Sequence, residues 1–338
     1  MNLDFLKLHL EQRTRAINEA AARCKIRPVI MEKDFWVCWM LDVLFQSSFA
    51  DSLVFKGGTS LSKVFGAIHR FSEDIDLSVS TEFLELPEPG DSRNQANKWM
   101  TNAEAACTEA ACDKFLPELE QLIADPLEPL KEQHGQNWLE FMVDAASNSP
   151  VILFHYPTTQ PSGFEYLKRS VKLELGSLTE QRPTGKYPIR PWLADEFPQL
   201  FPNWNCEVVA LEIERSFWEK ATILHAEHHR PDDKRTPDRY SRHYADTAAL
   251  AKHPDGERAM ALSDVRQRVV DWKARFFGSA WARYDLAVPG TFRLVPAEAR
   301  VDALRRDYKA MRDMYLSEPP SFDEILTQLA QMERQINQ

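Results

Sequence analysis

The sequence predicts an α/β protein: a mixed sheet with flanking helices in the N-terminal half, followed by a mostly helical C-terminal domain. Three observations predict it. Residues 52–55, the Gly57-Gly58 pair, an apolar-periodic stretch over 60–68 and the alternation over 74–80 read as strand, turn, helix and strand. Strand character returns at 151–156 and at 170–175, where Val171, Leu173 and Leu175 alternate with Lys172 and Glu174, so both can extend one sheet. Beyond residue 202 the periodicity is helical.

Each element has a local reason. The first 50 residues read as two helices, the second over 29–47, whose wide apolar face is interrupted near its start by Glu32, Lys33 and Asp34. Residues 93–124 are helical and acidic with a boundary at Pro117, and the stretch 93–145 is expected to project from the core as an insertion. The proline-rich stretch 183–202 is the expected domain boundary, giving a sheet domain over 1–182 and a helical domain over 183–338. Ser216-Phe-Trp-Glu219 matches a capping box and is expected to open a helix running to about residue 228. Further helices are expected at 238–252, 262–277, 297–316 and 322–336.

The composition excludes several classes. With 338 residues, 43% of them hydrophobic and 27% charged, the chain is neither disordered nor low in complexity. Its longest apolar run, Phe35 to Phe45, is broken by Asp42 and falls short of the ~20 residues a membrane helix needs. The N-terminus carries Asp4, Lys7 and Glu11 where a signal peptide requires apolar residues. Five cysteines without a C-x-x-C pair argue against disulfides and zinc knuckles, so a reducing cytoplasm is expected. The net charge is −10, yet residues 101–150 hold ten acidic and two basic residues, while basic residues slightly outnumber acidic ones from Glu207 to Arg312. A polyanionic partner is therefore permitted on the second half.

The chemistry concentrates in Phe55-Lys-Gly-Gly-Thr-Ser-Leu-Ser-Lys63 and Arg70-Phe-Ser-Glu-Asp-Ile-Asp-Leu-Ser78. A Gly-Gly turn between strand and helix lets backbone N–H groups approach a phosphate, and the helix N-terminus adds a favourable dipole. Gly57, Gly58, Thr59, Ser60 and Lys63 are the expected nucleotide-binding residues, together with Ser72. Neither the Walker pattern nor the three-glycine dinucleotide pattern is present. On the next strand, period 2 sets Asp74 and Asp76 on one face with Ser72, close enough to share Mg²⁺. Alone, a Gly-Gly turn is most often a turn and a D-x-D a solvated strand face; in this order they reinforce each other. Glu174 is the candidate third carboxylate, against the ordinary reading of a solvated strand glutamate.

The glycine turn followed by D-x-D resembles the polymerase-β-like nucleotidyltransferase signature. The longer stretch FKGGTSLSKVFGAIHRFSEDIDLSV resembles the AbiEii-type nucleotidyltransferase toxins of AbiE/MenT-like toxin–antitoxin systems. Three further blocks extend the resemblance. Glu32–Val37 looks like a structural helix ahead of the sheet; Arg215–His225 resembles the family's third motif, placing its lysine at Lys220; Arg239–Asp246 resembles the fourth, placing its aspartate at Asp246. A lysine in the first turns of a helix opposes the dipole, which suits a role on a triphosphate. The resemblance implies a minimal nucleotidyltransferase sheet and a Mg²⁺-dependent enzyme with Asp74, Asp76, Lys220 and Asp246 as catalytic residues. It further implies an NTP substrate, an RNA acceptor such as the tRNA 3′ end, a separately encoded antitoxin and a place in phage defence. The alternatives are a metal-dependent nuclease and a non-catalytic nucleotide-binding regulator. His225, His228 and His229 share a helical face, but a zinc site is rejected for want of an acidic or cysteine partner at motif-like spacing. The basic run Arg230–Arg242 and the segment 293–312 are candidate RNA contacts, against the plainer reading of solvated charge.

Overall fold

A computed structural model describes residues 4–133, 137–145, 147–160 and 168–338. The chain divides into two compact units: Met1–Val64, Ser72–Glu88 and Trp99–Ala210 form the first, and Phe65–Phe71, Pro89–Lys98 and Leu211–Gln338 the second.

The first unit is built on a seven-stranded mixed sheet in the order β3-β4-β5-β2-β1-β7-β6. The strands are β1 (Leu53–Lys56), β2 (Ile75–Val79), β3 (Leu139–Val143), β4 (Pro150–Phe154), β5 (Val171–Gly176), β6 (Thr184–Ile189) and β7 (Cys206–Leu211). Its helices are α1 (Asp4–Lys7), α2 (Leu10–Cys24), α3 (Pro28–Phe45), α4 (Gly57–Lys63), α5 (Arg93–Ala110), α6 (Leu116–Leu127) and α7 (Trp192–Glu196), with the first residues of α5 belonging to the second unit. At the centre, β1 runs antiparallel to β2 with Lys56 opposite Asp76, and β2 runs parallel to β5 with Asp76 opposite Glu174. Residues opposite one another share a face. One face of the three central strands therefore carries Lys56, Asp76, Glu174 and Lys172, and the other buries Phe55, Ile75, Leu77, Val79, Val171, Leu173 and Leu175.

That apolar face shares its core with α3, which is buried on all sides from Ile30 to Leu44. Trp36 and Trp39 of α3 meet Phe154 with ring centroids 5.6 and 5.4 Å apart.

Three expectations about this unit need correction. The segment 93–145, of which 134–136 lie outside the described residues, does not project: Cys107, Ala111, Phe115, Leu119, Ile123 and Leu127 recur at helical spacing and are buried in the main core. Pro117 sits in the first turn of α6, where its missing N–H costs nothing, and a π-helical stretch Ala111–Phe115 joins α5 to α6. The proline-rich stretch is no boundary either. It carries β6 and α7, and the sheet unit continues through β7 to Ala210, because Pro188 falls in an edge strand where a missing donor is tolerated.

The second unit is helical: α8 (Ile213–His228), α9 (Ser241–Lys252), α10 (Pro254–Met260), α11 (Ser263–Phe276), α12 (Glu298–Ala310) and α13 (Phe322–Ile336). Its core includes Phe217, Trp218, Tyr244, Phe292, Leu329 and Met332, and the Trp218 indole N–H donates to the Ala259 carbonyl at 2.8 Å. The excursion Phe65–Phe71 joins this unit by pairing Arg70 with Tyr315, and the Phe71 N–H donates to the Met314 carbonyl at 2.7 Å.

Candidate active site

In the first unit, the glycine turn and the acidic pair converge. Gly57 has φ +80°, and a Cβ placed there would lie 1.9 Å from Asp76 Oδ2 and 2.8 Å from its Cγ, so the Asp76 carboxylate rests against the glycine backbone. Only glycine satisfies both constraints. A second tie is the Thr59 hydroxyl, which donates to the Asp74 carbonyl at 2.5 Å and fastens the first turn of α4 to the start of β2. Thr59 and Ser60 are buried, while Gly57, Gly58, Ser72, Asp74 and Asp76 are half-buried. The Ser60 hydroxyl is buried without a hydrogen-bond partner.

The strand starts one residue later than expected. Ser72, Glu73 and Asp74 precede β2, so Ser72 is not placed on the carboxylate face by strand alternation. Glu174 lies beside Asp76 on β5, and its Oε2 accepts from Lys172 Nζ at 2.7 Å; the same ammonium reaches Asp144 Oδ2 at 3.2 Å. Lys172 also lies within electrostatic reach of Asp74, and these three carboxylates raise its pKa against the opposing effect of burial. Lys63 does not face this surface. Its ammonium bonds to Asp34 Oδ1 at 2.7 Å, with both side chains buried, and lies 4.6 Å from the centre of the Trp192 ring.

Asp34 is one of three consecutive buried charges on α3, none more than 1% exposed. Glu32 accepts from the Thr158 hydroxyl and the Thr159 N–H, both at 2.6 Å, and burial raises its pKa. Lys33 pairs with Glu73 and donates to the Lys168 carbonyl at 2.8 Å. Asp34 accepts from Lys63 and, at 2.8 Å, from the Trp192 N–H. The helix thus holds α4 through Lys63 and the approach to Asp74 through Glu73.

The second unit holds the other two expected catalytic residues in one cluster. Asp246 is buried, and the Arg70 guanidinium grips it from two nitrogens: Nε to Oδ1 and Nη2 to Oδ2, each at 2.8 Å. Lys220 Nζ bonds to Asp246 Oδ2 at 2.9 Å. These two cations hold the Asp246 carboxyl far below the ordinary carboxylate range despite its burial, whereas burial lowers the Lys220 ammonium. Arg70 was absent from the sequence reading, although it stands at the head of the block already singled out.

The helix carrying Lys220 begins at Ile213, with Glu212 as its N-cap. Lys220 therefore sits two turns into α8 rather than in its first turns, and the dipole argument for it lapses. Ser216-x-x-Glu219 is no capping box: Ser216 N–H already donates to the Glu212 carbonyl, and Glu219 pairs with Arg215 and Lys273, each at 2.9 Å. Those cations hold the Glu219 carboxyl down at about 2. The histidines of α8 hydrogen-bond to the backbone. His225 Nδ1 accepts from the Arg293 N–H at 3.0 Å, which leaves Nε2 to donate to the Arg283 carbonyl at 2.9 Å.

A mixed sheet whose glycine turn abuts an aspartate of a D-x-D strand, joined in sequence to helices bearing a lysine–aspartate pair, defines the nucleotidyltransferase class of enzyme. The chain belongs to the AbiEii family, described as the nucleotidyl transferase AbiEii toxin of type IV toxin–antitoxin systems, whose profile matches residues 39–328. Its members are toxins paired with an antitoxin and take a nucleotide as substrate. Among solved structures, the chain is similar to MenT4, the nucleotidyltransferase toxin Rv2826c from Mycobacterium tuberculosis H37Rv. That match has 14% identity and a TM-score of 0.34, covering 87% of this chain and 98% of that one. No curated protein matches the sequence. Among the described residues, no helix is long and apolar enough to cross a membrane.

Proposed function

We propose that this nucleotidyltransferase moves a nucleoside monophosphate from an NTP to an RNA hydroxyl, the tRNA 3′ end being the acceptor class, and arrests growth until its antitoxin intervenes. The acceptor oxygen attacks the α-phosphorus in line, the bond to the bridging oxygen breaks, pyrophosphate leaves and the hydroxyl proton passes to solvent or a carboxylate. The backbone of Gly57 and Gly58 and the Thr59–Ser60 turn seat the phosphates. Asp74 and Asp76 would hold Mg²⁺. Hard carboxylate oxygens suit that ion, which commonly takes one or two protein carboxylates and completes its shell with phosphate oxygens and water. When bound, it would offset charge on the attacking and leaving oxygens. Lys220, oriented by Asp246, would neutralise charge that develops on the phosphates. Glu174 enters the reading as the partner of Lys172 rather than as a metal ligand, since Lys172 occupies its Oε2.

The observation that carries this reading is the packing of Gly57 against the Asp76 carboxylate, which places a phosphate seat and a cation-binding carboxylate side by side. A nuclease has no triphosphate to seat, and a mere nucleotide sensor has no use for the acidic pair. To test the reading, the protein is incubated with each labelled NTP, Mg²⁺ and total tRNA. Label entering RNA, abolished in Asp76→Asn, is the expected result. Shortened RNA would assign a nuclease, and bound but unreacted nucleotide a regulator.

A further inference from the structure

We propose that the second unit carries a polyphosphate subsite made by Lys220, Arg242 and His243, with Arg242 as a second phosphate-binding cation that no motif assigns. It rests on the reading above, in that the polyphosphate is taken to be that of an NTP.

The argument begins with the charges. Arg70, Lys220 and Arg242 are three cations gathered at one carboxylate, Asp246, and both oxygens of that carboxylate are engaged by Arg70 and Lys220. Arg242 stands one helical turn before Asp246 on α9, close enough to Lys220 to repel its ammonium. Among the described residues it forms no ion pair. It is also the second residue of α9, at the positive end of the helix, where a cation is unfavourable by roughly 0.3–1 kcal/mol. The nearby Asp307 does not compensate it directly, because its oxygens accept from the backbone N–H groups of Arg239 at 2.7 Å and Ser241 at 2.9 Å. The cluster therefore keeps a positive excess that a bound anion would balance.

His243 supplies the second, independent observation. Its Nδ1 is buried without a hydrogen-bond partner, and the ring packs on Tyr240 with centroids 4.7 Å apart. Burial, then Lys220 and Arg242, hold the imidazole neutral, with Arg70 acting in the same direction and Asp246 opposing. A neutral imidazole in a cationic surround can direct an N–H at an anion without adding charge. Lys220, 12% exposed, remains reachable from solvent, and Arg242 is half-buried. An arginine fork and an ammonium side by side match a chain of linked phosphates better than a single carboxylate, which would leave most of the excess uncompensated.

The probe is inorganic tripolyphosphate, titrated without divalent metal into the full chain and followed by calorimetry. Wild type is expected to bind. Arg242→Met should weaken binding at least tenfold and Arg242→Lys should restore most of it, while His243→Phe should weaken it several-fold. In steady-state transfer assays Arg242→Met should raise the KM for NTP more than it lowers kcat. Equal tripolyphosphate affinity in wild type and Arg242→Met, or loss of RNA binding alone, overturns the proposal. The two readings fail separately. Tripolyphosphate binding that depends on Arg242 in a protein that transfers no nucleotide keeps the subsite and removes the transferase reading. Efficient transfer by an Arg242→Met variant with unchanged KM does the reverse.

Discussion

Replacing Gly57 by alanine tests whether the glycine turn and the acidic pair form one site. The new Cβ would lie 1.9 Å from Asp76 Oδ2 and 3.0 Å from its Cβ, whereas ordinary contact begins near 3.4 Å. The Asp76 carboxylate must swing away by about 1.5 Å, a displacement of the scale at which misplaced reacting groups lose on the order of 100-fold in rate. The backbone adds a cost of about 1 kcal/mol for a non-glycine residue at positive φ. In a chain of this length that lowers Tm by only a few degrees. The expected phenotype is thus a folded protein whose transfer activity falls at least 100-fold and whose apparent Mg²⁺ requirement rises. Gly66→Ala is the control: Gly66 has φ +60°, and a Cβ there meets nothing within 4 Å, so it shares the backbone cost without touching a carboxylate. Labelled-NTP transfer and differential scanning fluorimetry on the two variants decide the matter. If Gly57→Ala keeps activity within threefold of wild type, Asp76 is not held in a working position by that turn.

Two further predictions concern buried acids. Burial pushes the Asp42 carboxyl up to about 6, so folding favours its protonated form and stability is lost as pH rises from about 4 through 6. Asp42→Asn should therefore raise stability at pH 7–8 by on the order of 2–3 kcal/mol and flatten the melting profile between pH 4 and 6; an unchanged profile refutes it. Asp246 has the opposite sign. Its depressed pKa contributes stability that is present above pH 4 and is lost as pH falls below that. Asp246→Asn leaves Arg70 and Lys220 facing each other and should cost roughly 3–5 kcal/mol at pH 7, read as a fall in the melting midpoint that high salt partly restores.

The sequence disclosed those parts of the site that depend on local rules. Gly57-Gly58 announces a turn, and the D-x-D with its apolar neighbours announces a strand edge, so the sheet centre and its acidic face were readable from period 2 alone. What escaped was set by partners distant in sequence. The acidic helices over 93–127 looked like a projecting insertion because their charges dominate the composition, yet their apolar stripe belongs to the main core. Lys63 looked like a phosphate ligand because it follows the turn, and only the fold reveals Asp34 beneath it. Ser216-x-x-Glu219 imitated a cap, but the helix had begun a turn earlier and Glu219 is bound by Lys273, more than fifty residues away.

The triplet Glu32-Lys33-Asp34 carries the deeper lesson. Successive residues on a helix point about 100° apart, so three adjacent charges cannot share one partner, and a helix that buries all three must be enclosed by structure on several sides. That is the arrangement found: Glu32 holds residues 158–159, Lys33 holds Glu73 and Asp34 holds Lys63 and Trp192. Buried ion pairs contribute little net stability, because desolvation offsets their attraction, but breaking one partner is costly. Their value here is register. The phosphate turn precedes Lys63 and the acidic pair follows Glu73, so a single rigid helix fixes the two ends of the fifteen-residue interval that separates Gly58 from Asp74. An apolar core of equal volume would permit sliding by fractions of an ångström; directional hydrogen bonds to α3 do not.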